Sequence, residues 1–166
     1  MNQFEIEKLD RNLISMIHND WAVLTVEGME KVNAMTVNWV QTGWLWNKPV
    51  VTVYVRPQRY TYSLIENTDH FSLAFFDEKE RDNLRYLGTA SGRDEDKLAH
   101  TGYTVQRLDD TACIEQASLV LTLKKLAVSQ ITAEQFTDEL TRKTAYPKED
   151  YHKAYICEIV GAYTNK

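Results

Sequence analysis

Three stretches of the chain gather residue types suited to holding a ligand. In Val55-Arg56-Pro57-Gln58-Arg59-Tyr60-Thr61 a β-branched run ends, and Pro57 blocks its simple continuation. A helix start is expected at Thr61, whose hydroxyl can accept an orphan backbone N–H. A helix start offers free N–H groups and the positive end of a dipole, and guanidinium groups bind phosphate oxygens in pairs. Arg56 and Arg59 beside that start therefore form a phosphate seat. Ser91-Gly92-Arg93-Asp94-Glu95-Asp96-Lys97 repeats the theme. Gly92 lets backbone approach a ligand closely, and Lys97 can deliver a point charge. In Asn33-Ala34-Met35-Thr36-Val37-Asn38-Trp39, Asn33, Thr36 and Asn38 supply polar groups amid apolar neighbours, and Trp39 adds a large flat ring. Such a strand can hydrogen-bond a polar heteroaromatic ligand.

Each stretch also has a plainer reading: surface arginines beside a cap, a solvated charge run, or a half-exposed strand with its polar side in water. Taken together, two phosphate seats and a polar aromatic strand point to a phosphorylated aromatic cofactor. On residue chemistry alone, FMN, pyridoxal phosphate and a nucleotide satisfy that description equally.

Other chemistries lack a matching pattern. The glycines form neither GxGxxG nor a Walker loop, and Ser91 is not in a GxSxG elbow. His18, His70, His100 and His152 show no HxH or HExxH spacing, so no metal site is expected. Cys113 and Cys157 are far apart, form no CxxC, and read as buried inert thiols in a reducing, cytoplasmic setting. The formal net charge of −5 and the lack of a lysine/arginine run argue against nucleic acid. No stretch approaches the roughly 18 apolar residues of a membrane span, and the first residues do not resemble a signal peptide.

The elements that must position these residues are mostly strands. With 166 residues, 43 % hydrophobic and 26 % charged, the chain reads as one domain over 1–166 with a sizeable core. Strands are expected at 21–26, 32–40, 50–55, 70–76, 117–128 and 154–163. The run at 50–55 reads as buried on both faces, whereas Phe71, Leu73 and Phe75 share one face. Short helices are expected at 61–66, at 77–87 with an Asp77/Glu80 capping box and a stop at Gly88, at 94–100 ending near Gly102, and at 134–143. The pattern is mainly β with short helices, a barrel with helical decorations rather than alternating βαβ units.

The segments Asn33–Thr36, Lys48-Pro49-Val50, 54–61, Leu87-Gly88 with Ser91–Asp94 and Asp96-Lys97, and Asp150-Tyr151-His152 resemble the flavin reductase-like family, and within it the flavoredoxin branch. The resemblance runs from about residue 10 to the C-terminus. It implies an FMN-binding split β-barrel, a homodimer with FMN near the subunit interface, and NAD(P)H as electron donor. By position, Asn33 and Trp39 should lie by the isoalloxazine ring. Thr61 and Lys97 should serve the ribityl-phosphate end, with Arg56, Arg59, Ser91 and Gly92 as further candidates, and His152 should approach the flavin. Asn33, Asn38 or a backbone N–H could supply a donor near flavin N1 or O2. The clustering of Trp39, Trp44 and Trp46 would suit a subunit contact. One departure stands out: where relatives often carry a Cys-Arg-Lys-Leu-Tyr-like run, this chain has Leu123-Lys124-Lys125-Leu126-Ala127.

The expected function is an FMN-dependent oxidoreductase that takes electrons from a nicotinamide nucleotide and passes them to a flavin, a metal complex or a protein. The alternatives are an electron carrier without its own NAD(P)H turnover, and a non-catalytic flavin-binding module. No acid–base triad is needed in the first case, because the cofactor carries the chemistry.

Overall fold

The computed structural model describes residues 1–165. Strands β1 (Asn2–Phe4), β2 (Ala22–Glu27), β3 (Val32–Val37), β4 (Val40–Leu45), β5 (Lys48–Val55), β6 (His70–Phe75), β9 (Leu119–Gln130) and β10 (Lys153–Thr164) form one sheet, and β7 (Val105–Leu108) with β8 (Thr111–Ile114) forms a separate hairpin. The helices are α1 (Leu13–Ser15), α2 (Tyr60–Ile65), α3 (Arg81–Thr89), α4 (Lys97–Thr101) and α5 (Glu139–Ala145). No helix among the described residues is long and apolar enough to cross a membrane.

The large sheet runs β3-β2-β6-β9-β10-β5-β4, with β1 added to β10. Its two ends, β3 and β4, are consecutive in the chain and separated by Asn38 and Trp39 alone. Laid flat, those ends would stand about 29 Å apart at the usual strand spacing of about 4.8 Å. The three residue steps from Val37 to Val40 reach at most about 11 Å. The sheet must therefore roll until its edges meet, with the covalent chain rather than a hydrogen-bonded ladder joining them. That is a barrel split along one seam, and Asn38-Trp39 sits on the seam.

Strand alternation sorts the apolar residues into two cores. Leu24 and Val26, Val51, Val53 and Val55, Phe71, Leu73 and Phe75, and Leu119, Leu121 and Leu123 fill the interior. Val23, Ala34, Ala74 and Val120 face outward, where Leu84 and Leu87 of α3, Leu98 of α4 and Ile114 of β8 cover them. Burying an aliphatic side chain of this size stabilises by roughly 1.5–3 kcal/mol. The outer core thus fixes α3 and α4 against β3, which is what positions the second ligand-type stretch. Cys113 and Cys157 are free, buried thiols, and burial pushes Cys157 up to about 12.

Several local expectations change. The stretch at 32–40 is not one strand: it breaks at the seam, where the chain crosses from one sheet edge to the other. β4 follows, and its hairpin with β5 turns through Trp46 and Asn47 at φ 53° and 57°. This is a left-handed two-residue turn without the usual Asn-Gly signal. Strand β5 alternates rather than being buried throughout, since Thr52 and Tyr54 are only half-buried. Thr61 lies inside α2, with Arg59 at the cap position. No Asp77 cap forms; Glu80 instead accepts from Asn83 at 3.0 Å and from Tyr103 at 2.8 Å. Gly88 is within α3, which runs to Thr89 with Ala90 as its C-cap. α4 starts only at Lys97, where the Asp96 carboxylate accepts from the Leu98 and Ala99 N–H groups, and it ends at Gly102 in the left-handed region at φ 69°. The stretch at 134–143 divides into a 3-10 turn (Ala133–Gln135) and α5.

Candidate functional site

Two adjoining clefts lie beside the seam, and Met35 and Arg59 line both. The wider, about 260 Å³, takes in β3, the seam, Tyr54 and Arg56 of the β5 end, and His152. The narrower, about 190 Å³, lies between the loop entering α2 and the loop joining α3 to α4. Together they fall in the range of ligand pockets, roughly 300–1,000 Å³. A larger depression of about 550 Å³ runs along the N-terminal segment and residues 159–162, but none of the ligand-type residues line it.

Every residue singled out in the sequence lines one of the two clefts. Thr36, Asn38, Trp39, Arg56 and His152 border the wider one. Asn33, Thr61, Ser91, Gly92 and Lys97 border the narrower, and Arg59 stands between. Asn33 and Trp39, which the resemblance assigns to one ring, line different clefts: Asn33 borders the narrow one, where its Nδ2 donates to Thr61 Oγ1 at 2.9 Å. The alternation of β3 explains this: Asn33 and Met35 share a face, and the strand has ended before Trp39. Residues that the sequence reading passed over also line the clefts, notably Met35, Tyr54, Gln58 and Tyr60. All four lie inside the segments quoted above, so adjacency to the charged residues was the available signal.

The narrow cleft is built around two cations. Lys97 is only 4 % exposed, and its ammonium donates to Leu87 O at 2.9 Å. Arg59 donates from Nη2 to Gly88 O at 2.8 Å and from Nε to Met35 Sδ at 3.0 Å. Neither makes an ion pair among the described residues. Burial and the neighbouring Arg59 lower Lys97 to about 8, against a smaller opposing effect of Glu95. Burial and Arg56 lower Arg59 as well. Helix α2 has only six residues, so its dipole adds little, and the side chains carry the positive charge of this cleft. Gly92 packs so closely on Asn33 and Tyr60 that a Cβ there would collide with Asn33 Oδ1.

The wide cleft is aromatic. The Trp39 and His152 rings pack with centroids 4.5 Å apart, inclined by 38°. The Arg56 guanidinium lies 5.7 Å from the centroid of Trp39, pairs with the Asp150 carboxylate, and donates from Nε to His152 Nε2 at 3.4 Å. Nε2 is thus the acceptor nitrogen, and Nδ1 carries the proton toward Tyr146 Oη at 2.9 Å. Burial, then Arg56, lowers His152 to about 4, so the imidazole is neutral at pH 7. One end of this double cleft can accept a flat ring, and the other an anion.

A model of the flavin reductase like domain matches residues 15–166. Over 96 residues the chain is 30 % identical to an uncharacterized protein of Aeropyrum pernix; that match takes in 56 % of this chain and 34 % of the relative, so the chain spans about a third of the curated relative it matches. Among solved structures, flavoredoxin from Methanosarcina acetivorans superposes with a TM-score of 0.70 at 21 % identity, over 89 % of this chain and 69 % of that one. The FMN-binding domain of a flavin reductases-like enzyme from Shewanella baltica gives 0.72 at 17 % identity, over 99 % and 76 %. At these identities the structural likeness establishes the split-barrel fold. With its family model covering nearly the whole length, the chain belongs to the flavin reductase-like domain family.

Proposed function

We propose that the double cleft binds FMN and that the protein is an FMN-dependent oxidoreductase, taking electrons from a nicotinamide nucleotide and passing them to a flavin, a metal complex or a protein. One observation carries the reading: Lys97 and Arg59 stand in the narrow cleft with neutral partners alone, beside an aromatic compartment. A buried lysine and a half-buried arginine side by side repel each other, and a phosphate would offset that cost. The residues present fit FMN in chemistry, with cations in one compartment and aromatic rings in the other. Lys97 and Arg59 would hold the phosphate, with the Ser91 and Thr61 hydroxyls and the Gly92 backbone around it. Trp39 and His152 would flank the ring, and Thr36 and Asn38 would meet its polar edge.

Bound FMN supplies the electron chemistry. The chain supplies orientation and field. Asp150 holds Arg56 against Trp39 and His152, so a guanidinium would stand beside a ring bound in this compartment and could stabilise negative charge on it. His152 adds no charge at pH 7, because burial and then Arg56 disfavour a second proton on its ring.

The reading includes a homodimer. β4 is a sheet edge, and Trp44 and Trp46 on its hairpin are 62 % and 57 % exposed. Exposed apolar surface rimmed by polar residues marks interaction sites. A stable monomer that holds FMN would contradict this part.

An anaerobic titration of the purified yellow protein with NADH and NADPH tests the function. Bleaching by either supports the oxidoreductase. Bleaching by dithionite alone replaces it with the electron carrier. Folded protein without affinity for FMN overturns the reading.

A further inference from the structure

We infer that a cationic clasp on Tyr60 closes the outer side of the narrow cleft, and that this clasp makes the site select a flavin mononucleotide over a flavin dinucleotide. The inference rests on the flavin reading of the cleft and adds the residues that decide which flavin enters.

The walls of the narrow cleft are two loops, one entering α2 and one joining α3 to α4. Arg93, on the second, donates from Nη1 to Gln58 O, on the first, at 2.9 Å. Lys31, from the turn between β2 and β3, donates to Gly92 O. The Tyr60 ring lies within reach of both cations, with Lys31 Nζ 5.3 Å and Arg93 Cζ 5.6 Å from its centroid. Such contacts add to the hydrogen bonds that tie the loops together.

Depth separates this clasp from the phosphate seat. Gln58 and Arg93 are exposed, whereas Thr61, Gly92 and Lys97 behind them are buried. Lys97 lies in the buried part of the cleft with Arg59 beside it, both held to carbonyls of α3. Arg93 and Lys31 are already engaged with carbonyls and with the ring. A mononucleotide ends at its phosphate, inside the clasp. A dinucleotide continues into a second phosphate and an adenosine, which must leave through the rim. Doing so would break the Arg93–Gln58 bond or pull Tyr60 away from its two cations.

Dissociation constants for FMN and FAD, measured by flavin fluorescence on wild type, Arg93→Ala and Lys31→Ala, test this. Wild type should bind FMN about tenfold more tightly than FAD, the size expected for breaking one charge-assisted contact. Arg93→Ala should bring the two constants within about threefold through a gain for FAD, and Lys31→Ala should move the ratio the same way. Arg93 is exposed, so its truncation leaves the core packing untouched. Equal affinities in wild type, an unchanged ratio in both variants, or equal weakening of both flavins in Arg93→Ala would overturn the clasp. Wild type that binds neither flavin would overturn the flavin reading itself, and the clasp with it.

Discussion

Lys97 and Arg59 donate to consecutive carbonyls at the end of α3, the ammonium to Leu87 O at 2.9 Å and the guanidinium to Gly88 O at 2.8 Å. A helix C-terminus welcomes cations through its orphan carbonyls. Two carbonyl dipoles do not neutralise two full charges, however: burial and then Arg59 lower Lys97, while burial and then Arg56 lower Arg59. The pair is held in place by the helix and left wanting an anion.

Lys97→Met keeps the stem and removes the charge. FMN affinity should fall about 10- to 100-fold, the range for one charge-assisted hydrogen bond. The melting temperature of the FMN-free protein should hold or rise, because a buried unpaired charge has gone. Unchanged FMN affinity in a titration would remove Lys97 from the phosphate seat.

The pH dependence has opposite signs for binding and for folding. Lys97 in the free protein loses its proton near 8 instead of 10.5. Affinity for FMN should therefore decline as pH rises above about 8. Between about 8 and 10.5 the unfolded chain holds the proton that the folded one has released, so this group makes stability increase with pH across that window. The gap in melting temperature between Lys97→Met and wild type should narrow there. A gap constant from pH 7 to 10 would contradict the assignment.

His152 acts on the acid side. Its folded value of about 4 lies below the ordinary 6.5, so its contribution is present above 6.5 and is lost as pH falls toward 4. Denaturant unfolding at pH 7, 5 and 4 should show His152→Gln losing less stability than wild type across that interval. Parallel losses would show that other groups govern the acid limb.

Trp39→Ala removes the ring that packs on His152 and under Arg56. The bound flavin's absorption bands or its reduction potential should shift. A spectrum and a potential both equal to those of the parent would take Trp39 away from the ring.

Gly92→Ala puts a methyl group against Asn33 and Tyr60 in a buried position. Overpacking of this kind costs about 1–3 kcal/mol, and relieving it must displace Asn33 from Thr61. Chemical denaturation should show the loss, together with weaker FMN binding. A variant as stable as wild type would mean that the α3–α4 loop moves away freely.

The order of the elements was largely legible. Alternation at 71, 73 and 75 located β6 and its inner face, because a strand's period of two is written in consecutive residues. The β4–β5 hairpin was hidden, since its turn residues Trp46 and Asn47 adopt positive φ without a glycine to announce it. The Glu80 half of the expected capping box is lost because Asn83 and Tyr103, the latter 23 residues on, occupy the Glu80 carboxylate.

For the site, the sequence by itself determined the inventory: the arginines at 56 and 59, the Ser-Gly-Arg-Asp turn, Lys97 and the polar strand before Trp39. Their types follow from local chemistry, and local chemistry survives in one dimension. The tertiary structure alone decided their grouping. Asn33 meets Thr61 across 28 positions, and Arg56 meets His152 across 96. Such pairings depend on strand register and on how far the sheet must roll for a two-residue link to join its edges. Whether a buried lysine has a carboxylate beside it is settled by that same closure, which no spacing along the chain records.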